Sequence, residues 1–225
     1  MAKEVPKMTK EVPKMTKEVP KMTKEVQKMT KEVQKMATKG DREIEIVNIV
    51  VSTSLEHAIP LEKMAATLSN TEYNPEQFPG LVIRIKEPKT SALIFSSGKV
   101  VCTGARTIEK VHESIKKIIK SLEKINIKIK IKQEIKIVNI VASGSVGMDL
   151  NLNELATQLQ NVEYEPEQFP GLVYKLQKSK TNPQATFLLF SNGKIVCTGT
   201  RSEEEVHSAL DKLIENLKKA KGIKA

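Results

Sequence analysis

The sequence predicts an α+β fold of two pseudo-symmetric repeats, each running strand, helix, several strands, helix. Three observations carry that prediction: an internal duplication, hairpin-turn chemistry between short β-branched runs, and long stretches of helical apolar spacing. IVNIVVS at 46–52 returns as IVNIVAS at 137–143, and EYNPEQFPGLV at 72–82 returns as EYEPEQFPGLV at 163–173. IFSSGKVVCTGAR at 94–106 returns as LFSNGKIVCTGTR at 189–201. The first two pairs are offset by 91 residues and the third by 95, so the second copy carries four extra residues near Thr181–Ala185, where Asn182-Pro183 marks a turn. Units of this length are too long for a solenoid repeat.

The elements follow in order. Residues 44–51 form a β-branched run, and Pro60 opens a helix with apolar Leu61, Met64, Ala65 and Leu68. Residues 80–86, 91–96 and 99–103 read as short strands, with hairpin turns at Ser97-Gly98 and, in the second copy, Asn192-Gly193. Beyond Gly104, the apolar residues Ile108, Val111, Ile115, Ile118, Ile119 and Leu122 recur at helical spacing over a long amphipathic helix. The Ile/Lys alternation at 125–132 reads as an extended connector. The predicted organisation is a tail at 1–40, a first repeat at 41–133 and a second at 134–225.

Composition narrows the function classes. The 225 residues hold 39% hydrophobic and 28% charged residues, the balance of a globular chain. No apolar run is long enough to cross a membrane, and no apolar signal core opens the chain, so neither membrane insertion nor secretion is expected. Two Cys and three His offer no disulfide framework and no zinc ligand set. No phosphate loop, nucleophile elbow or carboxylate pair beside a His occurs, so the reading is neither an enzyme nor a metal or cofactor protein. Cys102 and Cys197 occupy equivalent positions and read as small buried hydrophobes, while His112 and His207 read as helix surface or packing residues. His57 stands alone, and Lys116, Lys117 and Lys120 read as a solvated helix face or a site for other factors.

The net charge of +10 is uneven. The tail holds 11 Lys against 5 Glu, the first repeat 15 basic against 11 acidic residues, and the second repeat 11 of each. A polyanion therefore suits the first half by charge, whereas the second must be held by something else. Residues 3–37 are five near-copies of a heptad, KEVPKMT three times and then KEVQKMT and KEVQKMA. Val and Met follow coiled-coil spacing, but Pro6, Pro13 and Pro20 break helix hydrogen bonding in the first three copies. A disordered low-complexity expansion is expected, or a cationic arm with non-specific DNA affinity.

The strands pose a physical anomaly. Alternation puts Leu81, Ile83 and Ile85 on one face and Val82, Arg84 and Lys86 on the other. Ala92 and Ile94 oppose Leu93 and Phe95; Val100 and Cys102 oppose Val101 and Thr103; Val47 and Ile49 oppose Asn48 and Val50. Asn139 with Val141, Leu188 with Phe190, and Val196 with Thr198 repeat the pattern. Both faces are apolar, yet two helices per repeat cover only one. The bare face either packs against another copy of itself or forms a binding surface. Its cationic edges argue against a protein core, which is depleted of charge. They suit a DNA minor groove, where Asn and Thr can donate to the acceptors of A·T pairs and Phe can wedge between base steps.

The paired IVNIV, FPGLV and FSSGKVVCTG/FSNGKIVCTG segments closely resemble the core of the TATA-box-binding protein family, over residues 43–220 and in an archaeal style. The resemblance implies a saddle: one curved ten-stranded antiparallel sheet with four helices on its convex face. It implies a general transcription initiation factor that binds TATA-box DNA as a monomer in the minor groove and kinks it. Phe78, Phe95, Phe169 and Phe190 match the family's intercalating residues. Asn48, Val50, Leu93, Val101 and Thr103, with Asn139, Val141, Leu188, Val196 and Thr198, match its groove contacts. Arg84 and Lys175 match phosphate-binding positions, joined by Lys99 and Lys194. Pro79 departs mildly from the small residue common in eukaryotic relatives, and nothing in the family accounts for the heptads.

The resemblance also implies a protein partner, transcription factor B, on the loop bearing Glu163, Glu165 and Glu167, with RNA polymerase recruited indirectly. Solvated turn carboxylates are the plain alternative. The implied location is the cytoplasm at the nucleoid, or the nucleus for a eukaryotic source. The rival functions are a non-catalytic nucleic-acid accessory unit and a scaffold that self-associates through the apolar face.

Overall fold

In the computed structural model, residues 44–129, 134–180 and 182–220 are described. The heptad tail and most of the Ile/Lys connector's second half lie outside them. The first repeat contains β1 (Ile44–Ser54), α1 (Leu61–Thr67), β2 (Thr71–Glu72), β3 (Gly80–Ile85), β4 (Thr90–Phe95), β5 (Lys99–Ala105) and α2 (Ile108–Glu123). The second contains β6 (Lys136–Ser145), α3 (Leu152–Gln158), β7 (Val162–Glu163), β8 (Leu172–Leu176), β9 (Ala185–Leu189), β10 (Lys194–Thr200) and α4 (Glu203–Lys219). The strands join in one curved, ten-stranded antiparallel sheet in the order β2-β3-β4-β5-β1-β6-β10-β9-β8-β7. The order reads the same from either edge when the repeats are exchanged, so the pseudo-twofold passes between β1 and β6.

Local chemistry sets the helix boundaries. Thr107, Asn151 and Ser202 cap α2, α3 and α4, each side chain accepting from the backbone N–H three residues on. Glu203–Glu205 in the first turn of α4 and Lys218 and Lys219 in its last complement the helix dipole. The long helices bury one stripe each: Val111, Ile115, Ile118 and Leu122 on α2, and Val206, Ala209, Leu210, Leu213 and Leu217 on α4. Those stripes meet the strand face that carries Leu81, Ile83, Ala92, Ile94, Val100 and Cys102 in one repeat. Leu172, Tyr174, Phe187, Leu189, Ile195 and Cys197 form the counterpart. Ile46 and Ile137 pack against both cores and join them across the central strand pair.

Strand alternation is right except at the centre. The register of β1 against β6 slips between Ile46 and Asn48, which makes Val47 an extra residue. Ile46 and Ile49 are the core-packed residues here, not Val47 with Ile49. Val138, the equivalent of Val47, is 42% exposed. The two-residue edge strands β2 and β7 are too short to carry periodicity, so the sequence pattern predicts neither, and the count of ten follows from the family resemblance.

The two cores differ in polarity at matched positions. Thr90 and Ser114 are buried and share a 2.9 Å hydrogen bond, and the Ser114 hydroxyl also donates to the Lys110 carbonyl. Their counterparts are Ala185 and Ala209. Conversely Ala105 is matched by Thr200, fully buried with no partner for its hydroxyl among the described residues. A buried unpaired hydroxyl is a standing cost. Thr200→Val keeps the shape and removes that group, so it is expected to raise unfolding free energy by about 1 kcal/mol in urea; a loss of stability would show that the hydroxyl finds a partner in solution.

Candidate nucleic-acid interface

The helices cover one face of the sheet, and the other carries two matched apolar rows. Cross-strand register aligns Val82, Leu93 and Val101 in the first repeat. It aligns Val173, Leu188 and Val196 in the second. All are half-buried except Val196, which is buried at 7% exposure. Strand parity puts Val82, Leu93, Val101, Leu188 and Val196 on this face, and register adds Val173 and aligns the rows. At the centre Asn48 lies opposite Val141 and Val50 opposite Asn139, so each repeat presents one amide and one Val across the pseudo-twofold.

The two asparagines are held by the same device. The Gly104 N–H donates to Asn48 Oδ1 at 2.7 Å, and the Gly199 N–H donates to Asn139 Oδ1 at 2.8 Å. That contact fixes which end of each amide is the donor. Asn48 Nδ2 then donates to the Thr103 hydroxyl at 3.0 Å, and Asn139 Nδ2 to the Thr198 hydroxyl at 3.1 Å. One N–H hydrogen of each amide is thereby used, and the amide and hydroxyl form a fixed polar pair set among valines. Gly104 and Gly199 can serve because they sit at φ +97° and +96°, in strand irregularities opposite β1 and β6. A side chain there would be strained.

The four phenylalanines form two pairs. Phe78 and Phe95 stand edge to face with centroids 5.8 Å apart, and Phe169 and Phe190 repeat this at 5.9 Å. Phe78 and Phe169 come from turns in which their N–H donates to the carbonyls of Asn74 and Glu165, both at 2.9 Å. The following FPG glycine leaves room for the ring: a Cβ on Gly80 would lie 2.6 Å from Phe78 Cε1, and on Gly171 2.6 Å from Phe169 Cε1. So the FPG motif sets a ring on the bare face. Phe190 is buried, at 7% exposure, whereas Phe78, Phe95 and Phe169 are half-buried.

Cations border the face. Arg84 follows Val82 by two residues and Lys175 follows Val173 by two, which places them on the same side. Lys99 and Lys194 begin β5 and β10 and share a face with Val101 and Val196. Arg84 pairs with Glu72 at 2.9 Å, and Lys175 pairs with Glu163. The second-repeat loop therefore presents Glu165 and Glu167 outward, while Glu163 is engaged by its neighbour. Cys102 and Cys197 lie in the core, and burial pushes their thiols up to about 11 and about 12. They stay protonated at neutral pH and take no part in the surface. Among the described residues, no group of three His, Cys, Asp or Glu is arranged to hold a metal ion, and no helix is long and apolar enough to cross a membrane.

A family model described as transcription factor TFIID (or TATA-binding protein, TBP) matches residues 43–125 and 134–220. A TATA-box-binding protein of Archaeoglobus fulgidus is 47% identical over 180 residues, spanning 79% of this chain and 96% of that protein. One from Methanocaldococcus jannaschii is 49% identical over 176 residues, spanning 78% of this chain and 94% of that protein. The solved structure of Methanococcus jannaschii TBP aligns with a TM-score of 0.72 at 49% identity, covering 79% of this chain and 99% of that one.

The amide device makes its own demand on stability. Asn48→Ala strands the Gly104 N–H in a half-covered position and is expected to cost about 1–2 kcal/mol in chemical denaturation. An unchanged midpoint and slope would show that the amide does not hold the strand irregularity.

Proposed function

The chain belongs to the TATA-box-binding protein family, and from that premise we propose that it initiates transcription by pressing its bare sheet face into the minor groove of TATA-box DNA. The observation that carries the reading is a matched pair of apolar rows, each flanked two residues along the strands by a phenylalanine pair, on the face that the described helices leave uncovered. Apolar side chains inserted between base steps from the minor groove unstack them and kink the duplex.

The chemistry of each group supports the reading. The valine and leucine rows match the sugar edges and the flat floor of an opened groove. Asn48 and Asn139 donate to the acceptors that A·T pairs present there; a G amino group would meet the rows with an unpaired donor. The rings of Phe78 with Phe95, and of Phe169 with Phe190, wedge between base steps at the two ends of the contact. Unstacking is least costly at flexible TA steps, which adds sequence preference without base contacts. Arg84, Lys175, Lys99 and Lys194 meet the flanking phosphates. Apolar contact explains how a second repeat with no net charge contributes equally. The factor acts as one copy on DNA and performs no catalysis.

On the second-repeat loop, the exposed Glu165 and Glu167 suit a basic protein surface and would repel phosphate. This loop is the proposed seat of transcription factor B, through which RNA polymerase is recruited.

Two measurements test these roles. Phe95→Ala and Phe190→Ala are each expected to lose at least about tenfold in affinity for a TATA duplex, or about 1.4 kcal/mol, and to reduce the bend seen by end-to-end fluorescence transfer. Normal bending by both variants would remove the wedge assignment. Glu165→Arg/Glu167→Arg is expected to bind and bend the duplex as before but to fail to form the ternary complex with transcription factor B on a native gel; a retained complex would place the partner elsewhere.

A further inference from the structure

We propose that Glu72 and Glu163 are specificity-determining residues for DNA binding: in the free protein each carboxylate occupies the cation that a backbone phosphate would otherwise claim. The inference rests on the reading above, in which Arg84 and Lys175 meet phosphates.

The arrangement is built twice. Arg84 donates to both oxygens of Glu72, from Nη2 at 3.0 and 2.9 Å and from Nε at 3.3 Å. Lys175 pairs with Glu163 at the matching place in the second repeat. Register sets the geometry: Glu72 lies opposite Val82 and Glu163 opposite Val173, so each carboxylate sits on the same face as the cation two residues further along. Both carboxylates stand on the two-residue edge strands, at the outer limits of the sheet. The cation differs between repeats, Arg in one and Lys in the other, yet the carboxylate opposite it is the same.

A carboxylate on a surface meant for a polyanion is a cost unless it has a role. Attraction to the phosphate backbone is the same for every sequence, and it supplies most non-specific binding. A cation already neutralised by its neighbour adds little to that attraction on an unbent duplex. Exposed ion pairs are weak and salt-screened, so a phosphate brought close by full engagement of the apolar rows can displace the carboxylate. The pairs therefore lower affinity for a duplex held by its phosphates alone, whereas a duplex that admits the apolar face displaces the carboxylates and recovers the contact.

Fluorescence anisotropy with two duplexes of equal length, one TATA-containing and one G·C-rich, tests the proposal. Glu72→Gln/Glu163→Gln is expected to bind the G·C-rich duplex about tenfold tighter than wild type at about 0.1 M salt. Its preference for the TATA duplex falls, and the difference from wild type closes as salt rises. Glu113→Gln, which changes net charge equally on the helix side where it pairs with Lys117, leaves both affinities unchanged. Adding Arg84→Gln to Glu72→Gln abolishes the gain at that site. An unchanged G·C-rich affinity in the double variant, an equal gain from Glu113→Gln, or a gain that survives loss of Arg84 would each overturn the proposal. Wild-type protein with no preference for the TATA duplex would instead overturn the function on which it rests.

Discussion

An antiparallel sheet has two faces, and the helices among the described residues lie on one. Four helices bury the Leu, Ile and Phe residues of the convex side into two joined cores. The concave side keeps Val50, Val82, Leu93 and Val101 with their counterparts, all half-buried except the buried Val196, and no helix among the described residues packs over them. Water contact with that surface is unfavourable in proportion to its apolar area. The molecule thus stores a binding free energy that any flat, partly apolar ligand can release, and the remaining features restrict which ligand does so.

Three kinds of restriction act on that surface. Asn48 and Asn139, locked by backbone N–H groups of glycines at positive φ, set donors at fixed points among the valines. The phenylalanine pairs, given room by Gly80 and Gly171, flank the apolar rows two residues along the strands. The edge ion pairs Arg84–Glu72 and Lys175–Glu163 temper the attraction to polyanions. Each device occurs in both repeats, so the duplication places it at two points related by the axis between β1 and β6.

Much of this was legible in the sequence because duplication prints the same motif twice. Strands β3 to β5 and helix α2 follow from period-2 and helical spacing, and the face shared by Leu93, Val101 and Thr103 follows from parity. Three features were not legible, for physical reasons. The slip at Val47 breaks the period on which parity depends, so alternation places that residue in a core it does not join. The edge strands have two residues each, too few for any periodicity. The pairing of Arg84 with Glu72 spans twelve positions of sequence and needs the register of β2 on β3, which no local pattern carries. The FPG motif was visible as a repeat, but its steric reason, a ring lying 2.6 Å from where a Cβ would stand, required coordinates.

The central claim is that the uncovered apolar face is the surface that meets DNA. Methyl NMR on Val- and Leu-labelled protein bound to a TATA duplex tests it most directly. The account predicts intermolecular contacts from the methyls of Val50, Leu93, Val101, Val141, Leu188 and Val196 to minor-groove base and sugar protons. Contacts confined to methyls of the helix-covered side, with those six unchanged on addition of the duplex, would contradict it.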